Sequence, residues 1–535
     1  MEERLEAYEM WIYRRIGKVS WTERKTNEYV LRMLGIKKQL LNIVKERKLK
    51  YYGHIKRHQT VQRITLEGKV EGKRSRGKQR LKWEDNIKGW TKRSMEECGR
   101  LAKDRVCLLI LTVISAAVIY AILNEEDVPI PKHVDKWWGE GQPKDESQEK
   151  PRPFKVNVPQ KDLDDLNLRL KNSRFSPSLE GINFEYGTNH RYLKEFVQYW
   201  STTYDWRKQE QWINKYPQFL VKISGIDVHY IHIKPNSKRK VVPILISHGW
   251  PGSVVEFLNA ISILEKSHPD FNFEIICPHI PGYGFSEAPK KTGFNYAEAA
   301  HVYAKLMQKL GHSKYYVQGG DWGGITVSAL SALYPERVLG LHLNMAPHLF
   351  TTSNMVRYVL GSVIPSIAPA AEIGSPKIYP ISEYISKVIG GSGYFHLQAT
   401  LPASLGAALT DTPAGLASYI LEKFAYGTNM EEAGKQYDGG LSKLDKDELI
   451  TNLMVYWITN SISPSITFYK EAMSPALRKQ KIDREPLLGM TALGWQRYKN
   501  ITFWEKSATC GHFAAMEDPH GFARSIVKFV SQIEK

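Results

Sequence analysis

The stretch VQGGDWGGITVS, residues 317–328, sets one acidic residue among four glycines. The spacing small-x-Asp-x-small around Asp321 is typical of a nucleophile elbow, where a strand turns sharply into a helix and holds one side chain above the sheet. Hydrolases that cleave esters carry serine at this centre. A carboxylate suits a saturated carbon that bears a leaving group, because attack there gives an alkyl ester that water can hydrolyse. The motif therefore predicts that Asp321 is a covalent nucleophile.

Two further motifs supply partners for this nucleophile. HGWPG follows the apolar run VVPILIS, at the position where an elbow fold provides an oxyanion-hole N–H. CGHFAAMEDP, residues 510–519, puts His512 on a loop before a terminal helix. A histidine that follows the nucleophile in the chain can act as general base. His248 is expected to shape the oxyanion loop rather than to act as a base.

A carboxylate nucleophile fits two classes of substrate, epoxides and alkyl halides. The leaving oxygen of an epoxide stays attached to the product and needs a proton, which a tyrosine hydroxyl can donate. A departing halide instead needs indole or amide N–H donors. Tyr394 and Tyr469 follow the elbow in the chain, but among 28 tyrosines the residue pattern alone does not single them out.

The chain after residue 220 has the pattern of an α/β sheet. Short apolar runs alternate with stretches such as YAEAAHVYAKLMQKLG, which is typical of buried parallel strands with helices on both faces. The expected strands are VVPILIS, FEIICPHIP, KYYVQGGD and VLGLHLNM. Residues 347–485 lose the strand pattern and are expected to form an inserted helical lid. The core is therefore expected at 221–346 and, where PLLGMTAL and ITFWEKSAT restore strands, at 486–535, with the pocket beneath the lid.

The region before this sheet has two different parts. Residues 125–220 begin as a linker and continue as two amphipathic stretches, 161–175 and 190–219, which predict a helical N-terminal region. The 18 residues from Val106 to Leu123 carry no charge and are long enough to cross a bilayer as a helix. Residues 95–124 are therefore expected to form a single membrane anchor.

The net charge of +18 is concentrated at the N-terminus. Residues 1–94 hold 26 Lys and Arg against 11 Asp and Glu, and so carry fifteen of these charges. Basic residues interleaved with aromatics can bind phosphates and stack on bases. A solvated, weakly structured extension is the favoured interpretation, and nucleic acid is not an expected partner. This stretch resembles the C-terminal tail of reverse transcriptases encoded by non-LTR retrotransposons, but it contains no polymerase active site.

From about residue 125 to its end, the chain resembles the microsomal-type epoxide hydrolases, and most of all the insect juvenile hormone epoxide hydrolases. The matching motifs include HGWPGS, PGYGFS, GGDWG, GYFHLQAT, TNLMVYWIT, FYKE and GHFAAMEDP, in that order. The resemblance implies an α/β-hydrolase core with an inserted helical lid, preceded by a helical N-terminal region and a single anchor in the endoplasmic reticulum (microsomal) membrane.

The resemblance also implies roles for individual residues. These are Asp321 as nucleophile, His512 as general base, Tyr469 and Tyr394 as proton donors, and Trp250 and Trp322 at the oxyanion hole. The implied reaction adds water to a lipophilic epoxide, such as juvenile hormone or a xenobiotic, and gives a vicinal diol. The resemblance implies no metal and no organic cofactor, and four cysteines without CxxC spacing argue against a thiolate metal site.

One part of the chain departs from the family pattern. The family places a glutamate soon after the penultimate strand to orient the histidine, but here the matching loop is shortened. Glu485 is a candidate, yet it precedes the expected strand, and Glu505 falls within the final strand run. The acid is therefore left unassigned, and without it hydrolysis of the ester is expected to slow. The alternative function is a catalytically impaired hydrolase-fold protein that binds lipophilic ligands.

Overall fold

The structure is a computed structural model of the chain. It describes residues 2–57, 89–92, 94, 96–97, 115–116, 134–236, 238–345, 361–362, 381–474, 502–503, 505 and 509–534. By its contacts the chain divides into two units, Met1–Glu125 and Glu126–Lys535.

The N-terminal unit contains helices within the segment expected to be weakly structured. They are α1 (Glu2–Ile16), α2 (Asn27–Leu34) and α3 (Leu40–Arg57). Met10, Val19 and Val30 form a small buried cluster among them. The buried Arg14 side chain donates to the backbone carbonyl of Lys25. The structure thus differs from the favoured interpretation, because the few apolar residues of this basic segment are spaced so that they meet.

Of the predicted membrane anchor, residues 95–124, the structure describes only Glu96, Glu97, Ser115 and Ala116. In the part of the chain that the structure describes, no helix combines the length and the apolar character needed to cross a bilayer. The anchor therefore stays a prediction.

The C-terminal unit is built on a mixed sheet. Its described strands are β1 (Arg152–Phe154), β2 (Gln218–Ile223), β3 (Ile226–Ile233), β4 (Lys240–Ser247), β5 (Phe271–Pro278), β6 (Tyr315–Gly319) and β7 (Val338–Leu343). They lie side by side in the order β1-β2-β3-β5-β4-β6-β7. β5, β4, β6 and β7 pair in parallel, as the apolar runs predict. β1, β2 and β3 extend the sheet in antiparallel pairing, with β3 next to β5.

Helices surround this sheet and make up most of the described residues that follow it. They are α4 (Gln160–Lys171), α5 (His190–Thr202), α6 (Trp206–Ile213), α7 (Leu258–Leu264), α8 (Tyr296–Lys309), α9 (Asp321–Leu333), α10 (Ile381–Gly391), α11 (Gly393–Thr400), α12 (Pro402–Asp411), α13 (Pro413–Thr428), α14 (Met430–Ala433), α15 (Lys446–Thr459), α16 (Ile462–Ala472), α17 (Ala514–Glu517) and α18 (Pro519–Ile533).

Two expected segments differ in detail from what the structure shows. The amphipathic stretch 190–219 divides into α5, α6 and the start of β2, because the Asp205 side chain accepts the Lys208 N–H and starts a new helix. PLLGMTAL lies outside the described residues. ITFWEKSAT is described only at residues 502–503, 505 and 509, none of which belongs to a strand.

The turn between β6 and α9 packs directly against the end of β4. A methyl group on Gly323 would overlap the backbone carbonyl oxygens of Ser247 and His248. The sequence therefore needs glycine here, because helix α9 approaches the neighbouring strand closer than any side chain allows. This contact sets the height of Asp321 above the sheet.

We expect Gly323→Ala to destabilise the protein by about 1–3 kcal/mol, because the added methyl group overpacks a site closed by backbone atoms. Urea unfolding followed by circular dichroism measures the change. Gly390→Ala is the matched control: it also lies in a helix, and a methyl group there meets no heavy atom within 4 Å. Equal stabilities of the two variants would contradict the packing argument.

Candidate active site

Asp321 lies at the junction that the elbow motif predicts. It is the first residue of α9, directly after β6, and its φ of +50° is in the left-handed region that non-glycine residues rarely adopt. Its Oδ1 accepts the backbone N–H of Trp250 at 2.8 Å. Gly249 packs against the Asp321 side chain with no room for a methyl group. The carboxylate is thus held by one oxygen, which leaves Oδ2 to face a reacting atom.

His248 fixes the loop that carries Trp250. Its Nε2 accepts the Ile280 N–H at 3.2 Å, and its Nδ1 lies 3.0 Å from the Gly249 carbonyl oxygen. Burial lowers the pKa of His248 to about 4, so the ring is neutral at pH 7 and can accept at one nitrogen while it donates at the other. This geometry agrees with the expected shaping role.

His512 stands beside the free oxygen of the candidate nucleophile. Its Nε2 is 3.7 Å from Asp321 Oδ2. The two side chains are partly exposed, at 26% and 20%. A histidine at this distance is placed to take a proton from a water molecule next to the carboxylate carbon.

Backbone hydrogen bonds hold the loop at His512 and at the residues before and after it. The Glu517 carboxylate accepts the backbone N–H of Gly511 at 2.7 Å and that of Phe513 at 2.9 Å. The His512 N–H donates to the carbonyl of Gly427 at 2.9 Å. Sequence reasoning missed Glu517, although its place in the same motif, five residues after the histidine, was a usable signal.

Tyr394 of α11 and Tyr469 of α16 meet the two tryptophans. The Trp250 ring stacks on Tyr394 with centroids 5.7 Å apart and meets the edge of Tyr469 at 5.7 Å. Tyr469 also packs edge-on against Trp322 at 4.8 Å. Burial raises the pKa of both tyrosines, so both hydroxyls are protonated at neutral pH and able to donate. The structure therefore brings together the residues that the resemblance singled out.

The backbone of Trp322 has a position that suits an oxyanion hole. It is the second residue of α9, and the first N–H groups of a helix lack intrahelical acceptors. The helix N-terminus also favours negative charge. Together with the Trp250 N–H, it offers two backbone donors near Asp321.

Glu256 is a site residue that sequence reasoning missed. It is buried in a short 3₁₀ turn, Val254–Phe257, and its carboxyl group packs against Gly252. Glu256, Asp321 and His512 line one cavity of about 20 Å³, which is room for a single water molecule. Burial, with the Asp321 charge as the second cause, raises the pKa of Glu256 to about 8. A carboxylic acid inside an otherwise apolar run, SVVEF, was the available signal.

Among the described residues, no carboxylate matches the expected acid that orients His512. Glu485 lies outside the described residues. Glu505 is 2.5 Å from Lys528 Nζ and is thus engaged in another ion pair. Within the described ranges, Asp321 is the one carboxylate that ion-pairs with the His512 imidazole.

Comparison with known proteins assigns the family. Residues 151–257 match the family model described as epoxide hydrolase N terminus, and residues 242–362 match the one described as alpha/beta hydrolase fold. The chain is 41% identical over 460 residues to juvenile hormone epoxide hydrolase 2 of Ctenocephalides felis, which covers 82% of this chain and 96% of that protein. It is 39% identical to epoxide hydrolase 1 of Sus scrofa, over 80% of this chain and 99% of that protein. The chain belongs to the microsomal and juvenile hormone epoxide hydrolase family.

A solved structure of this family agrees with the fold. The crystal structure of juvenile hormone epoxide hydrolase from the silkworm Bombyx mori matches with a TM-score of 0.69 and 36% identity, over 75% of this chain and 99% of that chain. The family resemblance inferred from the motifs is thus confirmed, and so is the α/β-hydrolase fold of the core.

The raised pKa of Glu256 predicts a pH-dependent effect of Glu256→Gln on stability. The pKa is 4.5 in the unfolded chain and about 8 in the folded one, so the stability due to the bound proton is complete below pH 4.5 and lost as the pH rises towards 8. Glutamine has no proton to lose. The stability of the variant relative to the wild type should therefore rise across this window, by at most about 1.4 kcal/mol per pH unit.

Urea unfolding at pH 5, 6.5 and 8 measures this difference. Glu180→Gln, at an exposed position, is the control for the loss of a carboxylate that is not buried. A relative stability of Glu256→Gln that stays flat from pH 5 to pH 8 would show that the Glu256 carboxyl group is not held in its neutral form.

Proposed function

We propose that the protein is an epoxide hydrolase that converts lipophilic epoxides into vicinal diols through an ester on Asp321. The observation that carries this proposal is the geometry around that carboxylate. One oxygen is bonded to the Trp250 N–H, the other lies 3.7 Å from His512, and two protonated tyrosines pack against the same tryptophan. Relatives named as epoxide hydrolases at about 40% identity support the same reaction.

In the first step, Oδ2 of Asp321 attacks a ring carbon of the epoxide. The carbon–oxygen bond of the ring breaks, and its electron pair goes to the epoxide oxygen. That oxygen takes a proton from Tyr394 or Tyr469, which becomes a tyrosinate. Oδ1 remains on its Trp250 N–H bond and becomes the carbonyl oxygen of the ester.

In the second step, His512 takes a proton from water, and the hydroxide attacks the ester carbonyl carbon. The negative charge that develops on Oδ1 is stabilised by the N–H groups of Trp250 and Trp322. The ester C–O bond of the former Oδ2 then breaks, and the leaving alkoxide takes the second proton of the water from the carboxylic acid formed on Asp321, so the diol leaves and Asp321 is again a carboxylate. The proton on His512 returns to the tyrosinate, so the site is restored. The oxygen of the water stays in the Asp321 carboxylate.

The tyrosines favour an epoxide over an alkyl halide. A halide leaves as a stable anion and needs no proton, whereas an epoxide oxygen needs the acid that Tyr394 and Tyr469 provide. Relatives named juvenile hormone epoxide hydrolase support juvenile hormone as one substrate. A xenobiotic epoxide is the second substrate class in this proposal. Association with the endoplasmic reticulum membrane through residues 95–124 belongs to the same proposal.

The competing proposal is an impaired hydrolase-fold protein that binds lipophilic ligands. Its support is that, among the described residues, no carboxylate other than Asp321 ion-pairs with the His512 imidazole. The two proposals differ in the second chemical step, because losing the acid slows hydrolysis of the ester but leaves attack by Asp321 intact.

We expect one cycle with a styrene-type epoxide in heavy-oxygen water to place one labelled oxygen in Asp321. Mass spectrometry of the peptide that contains residue 321 measures the label. Asp321→Ala should form no diol above the uncatalysed rate, because no other group can form the ester. Label found only in the diol, or diol formed at the normal rate by Asp321→Ala, would disprove the ester mechanism.

We expect His512→Gln and Tyr469→Phe to slow different steps. Without the base, the ester should form in a stoichiometric burst and then hydrolyse about 10²–10⁴-fold more slowly. Without the proton donor, the burst itself should slow, with the second tyrosine retaining part of the rate. Rapid mixing with chemical quench separates the two steps.

Tyr199→Phe is a matched control for these variants, because the Tyr199 hydroxyl bonds Asp447 outside the cavity. It should turn over as the wild type does. A burst followed by slow hydrolysis in the wild type would support the proposal of an impaired enzyme. Equal rates of ester formation and ester hydrolysis would support the proposal of an epoxide hydrolase.

A further inference from the structure

Two histidines and a glutamate lie close together at the end of the sheet opposite to Asp321. His232 lies near the end of β3, Glu274 lies in the first half of β5, and His312 comes just before β6. Asp321 follows β6, so it lies at the other end of the parallel strands. None of the three residues lines the cavity around Asp321.

The atoms of these side chains that could bind a metal ion lie close together. The Nε2 of His232 is 2.7 Å from Glu274 Oε1, and the Nε2 of His312 is 3.3 Å from the same oxygen. One possible ligand atom from each of the three residues lies within 4.8 Å of the other two. The side chains are only 4%, 12% and 16% exposed, in the order His232, Glu274 and His312.

The His312 Nε2 faces the Glu274 carboxylate at 3.3 Å without forming a hydrogen bond to it. This nitrogen is buried and makes no hydrogen bond within the described part of the chain. A buried ring nitrogen without a hydrogen bond costs free energy. An ion between the rings and the carboxylate would satisfy it.

We propose that His232, Glu274 and His312 form a binding site for a divalent transition-metal ion, with Zn²⁺ as the best fit. Two imidazole nitrogens and one carboxylate oxygen are ligands that Zn²⁺ prefers. Ligand atoms about 2.0–2.1 Å from a tetrahedral ion lie roughly 3.3 Å apart, which is the distance between His312 and Glu274. The His232–Glu274 distance must lengthen by roughly half an ångström as the ion replaces their hydrogen bond.

The site is built on rigid elements. β3 and β5 are paired in register, with His232 opposite Ile276. His312 is fixed by its N–H, which donates to the carbonyl of Met307 at the end of α8, and by the left-handed turn at Gly311. Ligands on such elements lose little freedom when an ion binds. The ion would tie the α8–β6 turn to the sheet and leave a coordination position for water, so its role is structural stabilisation away from the catalytic residues.

The test uses Zn²⁺ and Co²⁺ as probes on the full-length chain, purified without an affinity tag and freed of metal. We expect one equivalent of Zn²⁺ by titration calorimetry, a visible Co²⁺ absorption typical of a tetrahedral site, and a Zn²⁺-induced rise in Tm. Glu274→Gln and His312→Ala should each weaken the affinity at least tenfold. His190→Ala is the control, because the His190 ring is hydrogen-bonded to the Ser176 carbonyl and is not one of the three proposed ligands.

Two readouts keep the outcome clear. Glu274→Gln preserves side-chain shape, so its Tm without metal reports whether the fold is intact, and only the Zn²⁺-induced rise should disappear. No binding by the wild type, or the same affinity in the two ligand variants as in His190→Ala, would overturn the proposal. The readout is metal binding and does not depend on the epoxide reaction.

Discussion

The hydrogen bond from the Trp250 N–H to Asp321 Oδ1 is the constraint on which the site depends. In the proposed cycle it decides which carboxylate oxygen becomes the ester carbonyl and which one attacks. The bond requires that the loop after β4 and the turn after β6 approach closely, which is why Gly249 and Gly323 leave no room for a methyl group. It also holds Asp321 at a positive φ, a conformation that carries strain and persists only when neighbours impose it.

Burial around this bond fixes the protons of the site. His248 is neutral, Glu256 is neutral at pH 7, and the two tyrosines keep their protons, in each case mainly because burial disfavours the charged form. In the proposed cycle the charge of the nucleophile passes to a tyrosine oxygen during the first step and returns in the second. During the second step the tyrosinate and the oxyanion on Oδ1 are both present, and the protonated His512 together with the N–H groups of Trp250 and Trp322 offsets their charge.

The parts of the site that the sequence predicts are those whose function depends on local backbone. Asp321, His512 and the HGWPG loop follow from motifs at strand ends, and the runs of β4 to β7 follow from apolar periodicity. Tyr394 and Tyr469 came only from the family resemblance, because nothing local separates them from the other tyrosines. Glu256 and Glu517 were missed since their roles arise from burial and loop closure, which spacing does not encode. The same holds for the antiparallel pairing of β2 and β3.

The helices after β7 hold the catalytic loops as well as covering them. The His512 N–H bonds the carbonyl of Gly427 near the end of α13, so the loop of the base is attached to that helix. The Tyr456 hydroxyl of α15 donates to the Gly252 carbonyl at 2.8 Å, so the oxyanion loop is attached to another. Because both bonds join a helix of this segment to a loop beside Asp321, a movement of α13 or α15 that opened the site would also displace the base or the oxyanion donor. In the proposed mechanism, a movement of these two helices that admitted substrate would therefore also change the geometry around Asp321.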